Sequence, residues 1–222
     1  MKKLLAITLA LSFFSAAKSQ LYVQGGLNLA NISTTSSGSV SDNNMLPSFN
    51  AGFMARSKFS GAVAFESGLL LDGRGSKTQI GSGNTYYKVT FNPLYLEVPL
   101  NLVIRVPLSD DVNFFFNTGP YVAMGIAGKS KAEGSILGVS GSKTENIKFT
   151  NDGSDQDIQA FSELKRFDYG LNFGGGINIK KVLIKLNYGY GLSKINASQT
   201  NDNEDDKNKY RIFSISLGIP IN

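Results

Sequence analysis

Residues 112–128, VNFFFNTGPYVAMGIAG, alternate between two kinds of side chain. Val112, Phe114, Phe116, Thr118, Pro120, Val122, Met124 and Ile126 form one row. Asn113, Phe115, Asn117, Gly119, Tyr121, Ala123, Gly125 and Ala127 form the other. Successive side chains of a strand point to opposite faces, so this stretch reads as a strand with one apolar face. A helix would need a period of 3.6, and the Gly and Pro residues would weaken it. The same split recurs over 96–106, where Leu96, Val98, Leu100, Leu102, Ile104 and Val106 oppose Glu97, Pro99, Asn101, Val103 and Arg105. It recurs again over 167–179, 182–192 and 210–221, and more weakly over 21–31, 49–59 and 61–72.

These segments make eight strands. The stretches between them alternate in length: 32–48 is long, 59–61 tight, 73–91 long, 107–111 short, 128–164 very long, 180–181 tight and 193–209 long. Long connections at one end of an up-and-down sheet and tight turns at the other predict an all-β fold. The expected architecture is an eight-stranded antiparallel up-and-down transmembrane β-barrel with long extracellular loops and short periplasmic turns. Each segment reaches the ~9–11 residues that a tilted membrane-spanning strand needs. A soluble barrel of lipocalin type has the same periodicity with its faces reversed. The continuous rows of bulky apolar residues favour the membrane. So do the charges scattered over several opposite rows, which a dry ligand cavity would not tolerate.

The N-terminus fits export. Lys2 and Lys3 precede an apolar run from Leu4 to Phe14 that is too short to span a bilayer, and small residues follow it. A signal peptide over 1–19 and a barrel domain over 20–222 are expected. That leader carries Lys2, Lys3 and Lys18 and no acid, so its removal lowers the formal charge of +5 by three, to +2. No basic stripe with interleaved aromatics is visible, and nucleic acid is not an expected partner. The chain has no Cys, no His and no Trp. Thiol nucleophiles, thiolate metal sites and the commonest general base are therefore missing, and neither an enzyme nor a cofactor is expected.

The alternation places Arg56, Glu66, Glu97, Arg105 and Lys185 on inward faces. Such charges can form a constriction that controls a narrow pore, or an ion-pair network that ties strands together and plugs the lumen. An eight-stranded interior is filled mostly by side chains, which favours the plug. On that reading Glu97→Gln lowers the temperature at which the barrel unfolds. Two acidic stretches, Asp152, Asp155 and Asp157 and then Asp202, Glu204, Asp205 and Asp206, offer the oxygens that Ca²⁺ takes. Their spacing is not that of an EF-hand loop, and solvated loops are the default reading. Tyr86, Tyr87, Phe91, Tyr95, Phe167, Tyr169, Tyr188, Tyr190 and Tyr210 lie near strand ends or on outward rows, and the outward ones suit an interfacial aromatic girdle.

Five motifs carry a family resemblance: GGLNLAN, YLEVPLNL, GPYVAMGI, FDYGLNFGGGINI and NYGYGLSKI. With them the whole mature chain resembles the PorT-like outer-membrane β-barrel proteins of the Bacteroidota, also called porin-family or outer-membrane β-barrel domain proteins. YLEVPL is the most specific, because the fourth strand of the family typically reads Tyr-Leu-Glu-Ile-Pro. The chain departs from the family at Asn178, near where relatives often carry an acid. The resemblance implies the outer membrane as location. It implies the fold more than an activity; on the barrel reading the body is expected to act as a scaffold, with outer-membrane lipid and lipopolysaccharide around it and any protein partner meeting the 128–164 loop. A monomer is the expected state. A narrow small-solute pore, or the secretion role of the family's namesake, are the other functions it leaves open.

Overall fold

The computed structural model describes residues 19–36, 39–42, 45–150, 163–195 and 208–221. Every regular element among them is a strand. In chain order they are β1 (Ser19–Ser36), β2 (Ser39–Asp42), β3 (Leu46–Lys58), β4 (Val63–Gly73), β5 (Ser76–Ser82), β6 (Thr85–Pro107) and β7 (Val112–Ile136). There follow β8 (Val139–Asn146), β9 (Lys148–Thr150), β10 (Glu163–Lys165), β11 (Phe167–Ile179), β12 (Val182–Gly191) and β13 (Lys209–Pro220). Of the expected leader only Ser19, its last residue, is described, and it is the first residue of β1.

Eight strands close a ring in the order β1, β3, β4, β6, β7, β11, β12, β13 and back to β1. All neighbours in the ring are antiparallel. The closing seam joins the two ends of the chain: Tyr22 faces Pro220, and the amide of Ile221 donates to the carbonyl of Leu21 at 2.9 Å. Closure leaves no bare edge around the ring, which is the condition for strands to cross a bilayer. The β4–β6 ladder is interrupted between its Ser67–Leu100 and Leu70–Glu97 pairs. Pro99 lies in that gap and has no N–H to give.

The outer rows of the alternation stay exposed. Leu27, Phe53, Phe116, Val122 and Leu217 are each more than half accessible, although they are large and apolar. A patch wrapping the whole waist is far larger than a water-soluble monomer tolerates, and lipid is its natural solvent. The inner rows are buried and carry Asn, Ser, Tyr and the charges.

Three connections read as loops turn out to hold sheet: within 32–48 β1 runs on and pairs with β2, and 73–91 and 128–164 join in one extension. β6 and β7 run on together past the ring, and β5 and β8 pair on their flanks, giving a four-stranded extension at the loop end. Two-residue hairpins make this possible. Leu137 and Gly138 both take positive φ, of 51° and 88°, and Gly83 takes 66° ahead of Asn84. Such turns match the right-handed twist of the paired strands. The hydrophobic alternation is faint there because neither face is buried to the depth of the barrel wall.

Candidate functional site

The interior holds two charged clusters at different heights. The one nearer the tight turns is built on Glu66 of β4. Its neighbour across the ladder is Arg56 of β3, and the register Arg56–Glu66 brings the two side chains onto the same inner face. Arg56 Nη2 and Nε donate to Glu66 Oε2 at 2.5 and 3.0 Å. Lys185 of β12 donates to the other oxygen, Oε1, at 2.5 Å. β12 stands four strands from β4 in either direction around the ring, so this ion pair crosses the full width of the lumen. Asn101 Nδ2 adds a fourth donor at 3.3 Å. The guanidinium of Arg56 also lies 4.5 Å from the ring centre of Phe115, on the far wall.

The second cluster, nearer the long connections, is built on Arg74, one residue past the end of β4. Its three kinds of nitrogen go to three different acids: Nε to Asp72 at 2.7 Å, Nη2 to Glu97 and Nη1 to Asp168. Those carboxylates have further donors. Asn28 Nδ2 reaches Asp72 at 2.5 Å, Asn172 Nδ2 reaches Glu97 at 3.1 Å, and the Tyr121 hydroxyl and Ser193 reach Asp168. Tyr95, Tyr121 and Tyr210 surround the guanidinium at 5.0, 4.9 and 5.8 Å. Arg74 is fully buried. A polar cavity of about 40 Å³ separates the two clusters, lined among others by Gln24, Asn50, Asp72, Glu97 and Lys185.

Above Arg74 the mouth is covered. Ile147, Leu164 and Ile195 pack with Tyr95, Tyr121 and Tyr210 in one apolar cluster. The Phe149 ring meets Tyr95 edge-on at 5.6 Å. β9 and β10, which carry Phe149 and Leu164, pair with each other in parallel and rest on the rim. Gly125 of β7 makes the room: a Cβ there would strike the Phe149 ring.

Four of the five inward charges therefore meet partners of opposite charge, but in two clusters, not one. Arg56, Glu66 and Lys185 share the first, and Glu97 belongs to the second. Arg105 lies at the tight-turn end, where its Nη2 donates to the Gly61 carbonyl at 3.0 Å. Arg74, Asp72 and Asp168 were not singled out by sequence. The signal was present, since Asp72 and Arg74 continue the inward parity of Glu66 and Asp168 lies on an inward row. The structure divides the aromatics expected near strand ends or on outward rows. Phe167, Tyr169, Tyr188 and Tyr190 are outward and exposed, but Tyr95 and Tyr210 are buried inside and Phe91 packs against them. The acids Asp152, Asp155, Asp157, Asp202, Glu204, Asp205 and Asp206 lie outside the described residues. Among the described residues no three acids are grouped so that they could hold a metal ion.

A closed ring of eight antiparallel strands, apolar outside and charged inside, defines an outer-membrane β-barrel. The family description "outer membrane protein beta-barrel domain" matches residues 14–197. The chain belongs to that family, and it is a protein of the bacterial outer membrane. The tight turns face the periplasm and the long connections face outward. No curated protein matches it. Among solved structures it is similar to Ail, the attachment invasion locus protein of Yersinia pestis. That match has 15% identity and a TM-score of 0.41, over 93% of this chain and all of the other. It is also similar to Neisserial surface protein A, with 11% identity and a TM-score of 0.39, over 90% of this chain and 97% of the other.

Proposed function

We propose that this barrel is a non-conducting, non-enzymatic scaffold that presents its extracellular sheet and loops for interaction. The observation that carries this reading is the lumen, crossed at two heights by buried ion pairs and covered at its outer mouth. A solute path would have to break the Lys185–Glu66 bridge and the three contacts of Arg74. What remains for function is the outward-projecting sheet of β5, upper β6, upper β7 and β8. Its tip exposes Ile80, Tyr87, Ile136, Leu137 and Val139, apolar residues suited to contact with a partner. Residues 128–146 of the expected interaction loop are then one of the two hairpins of this sheet. The finer assignment to the PorT-like branch, and with it a secretion role, is supported by the strand motifs, YLEVPL above all.

The test is single-channel recording of the folded protein in a planar bilayer, with heat-modifiable gel mobility as the check of folding. A silent, inserted barrel is the expected result. Steady discrete openings in the wild-type protein would overturn the scaffold reading in favour of a narrow pore.

A further inference from the structure

The extracellular sheet has two unlike faces, and their relation to the membrane is fixed by the chain. Phe91 packs into the interior cluster, Pro93 is fully buried, and a Cβ at Gly128 would meet Ile147. These residues mark the face that continues the lumen side. A register shift at Leu94/Tyr95, where β7 holds one extra residue, keeps the two strands in step. The opposite face therefore continues the lipid-facing wall. By register it carries Lys77 beside Thr90, Lys131 and Thr144, Lys88 beside Gln79, Glu133 and Ser142, and Lys129 between Asn92 and Asn146. Four lysines and one acid share this face. Glu133 bonds Lys131 at 2.7 Å and Lys88 at 3.2 Å. No carboxylate among the described residues pairs with Lys77 or Lys129.

The height of these lysines follows from strand geometry. The apolar row of β6 from Leu94 to Val106 rises about 30 Å along the membrane normal, at ~3.3 Å per residue and a tilt of ~40°. That consumes the hydrocarbon layer. Phe167 and Tyr169, exposed on the outer wall and paired with Met124 and Val122, mark the same upper boundary. Lys129 then lies roughly 5 Å above the apolar edge, and Lys77 and Lys131 roughly 10 Å above it. Long lysine stems reach back toward an interface. This is the level of lipid headgroups, and the side chains point toward lipid and away from the lumen.

We propose that Lys77, Lys88, Lys129 and Lys131 form a docking face for the phosphate groups of the glycolipid in the outer leaflet. The four ammonium groups, offset by one carboxylate, leave a net charge of +3 next to hydroxyl and amide side chains that can bond sugar or phosphate oxygens. Each lysine near a phosphate-bearing surface strengthens the attraction, and salt screens it. The proposal deepens the scaffold reading by naming one partner of the same sheet. It is tested apart from it, because purified protein and lipid suffice.

The experiment is a titration of the folded, detergent-solubilised protein with diphosphorylated lipid A and with the dephosphorylated lipid. The expected result is tenfold or greater preference for the phosphorylated lipid, falling as salt is raised. Lys129→Gln/Lys131→Gln should weaken binding about tenfold, and Lys129→Arg/Lys131→Arg should restore it. Lys143→Gln/Lys148→Gln, which removes equal charge away from this face, should leave binding within twofold. Equal binding of the two lipids by the wild type would overturn the proposal without recourse to any variant. Equal loss in both glutamine variants would reduce it to net charge. Inorganic phosphate binding as tightly as the lipid would make the site one for a free anion, and polyglutamate competing as well as lipid A would make the face a protein-docking surface.

Discussion

The two interior clusters solve opposite problems with the same kinds of atom. Around Glu66, two cations share one acid, for a net charge of +1. Around Arg74, three acids share one cation, for a net charge of −2. Both are buried, so neither can rely on water to dilute its imbalance. In the first, the acid is the hub, and its two oxygens tie adjacent and opposite walls. In the second the cation is the hub, and the surplus acid is held by neutral donors, Asn28, Asn172, Tyr121 and Ser193. The lesson is that the hub of each cluster is irreplaceable and its spokes are not equal to it. Loss of a hub strands several like charges at once. Loss of a spoke leaves the hub with other partners.

The largest effect should follow from Arg74→Met. Three carboxylates would remain without a counter-charge, and the tyrosine cage would lose its cation. Breaking one buried pair costs about 3–5 kcal/mol, and this change should reach the top of that range. The measurement is the temperature at which the compact, heat-modifiable band is lost in detergent. If Arg74→Met melts no earlier than Lys185→Met, the hub argument fails for the upper cluster. Next in size is Glu66→Gln. It leaves Arg56 and Lys185 facing a neutral amide and each other, although Arg56 keeps its stacking on Phe115. A loss of about 3 kcal/mol is expected, and unchanged melting would mean that Lys185 finds water or another acid.

The lower cluster was the more legible in sequence, and the reason is geometric. Arg56, Glu66 and Lys185 all sit inside alternating segments, weakly so over 49–59 and 61–72 and strongly over 182–192, and parity alone puts them in the lumen. Parity also reaches Glu97 and Arg105, but it says nothing about height. Height separates Glu97 from Glu66 and leaves Arg105 at the tight-turn rim, bonded to Gly61. The upper cluster was half hidden because its hub lies beyond a strand end. Arg74 follows Gly73, where the alternation stops and a loop reading begins. The barrel itself was plain in the eight alternating runs and in the lengths between them. The extracellular sheet was not, because in SKTQIGS and VSGSKTEN both faces are polar and only turn chemistry at Gly83 and Gly138 gives the pairing away. For Tyr95 and Tyr210, which lie near strand ends, the sequence leaves the side open. An aromatic near a strand end suits either the lipid interface or the inside of a mouth, and only its parity decides.

Alternation alone predicts that Glu97→Gln lowers the unfolding temperature, because it treats Glu97 as half of a single pair. The cluster reverses the size of that effect. Glutamine keeps an oxygen for Arg74, the charge there falls from −2 to −1, and Asp72 and Asp168 still hold the guanidinium. A change below about 1 kcal/mol is expected, comparable to one neutral hydrogen bond. A loss as large as that of Glu66→Gln would show that all three acids are needed and that hub and spoke are not distinct.

The smallest effect should come from an acid with the same number of cations as Glu66 but outside the membrane. Glu133 bonds Lys131 and Lys88 as Glu66 bonds Lys185 and Arg56, yet it stands beyond the apolar band and is partly exposed. Hydrogen bonds from Lys131 and then Lys88 hold its carboxyl below the usual glutamate range. A depressed carboxylate supports the fold at pH above its unfolded value and loses that support as pH falls through its folded value. In solvent the support is screened, and exposed pairs contribute little. Glu133→Gln should therefore leave the melting temperature unchanged at neutral pH, and acidification should reveal no transition that depends on Glu133. A clear drop would mean that burial is not what separates the interior hubs from an ordinary surface ion pair.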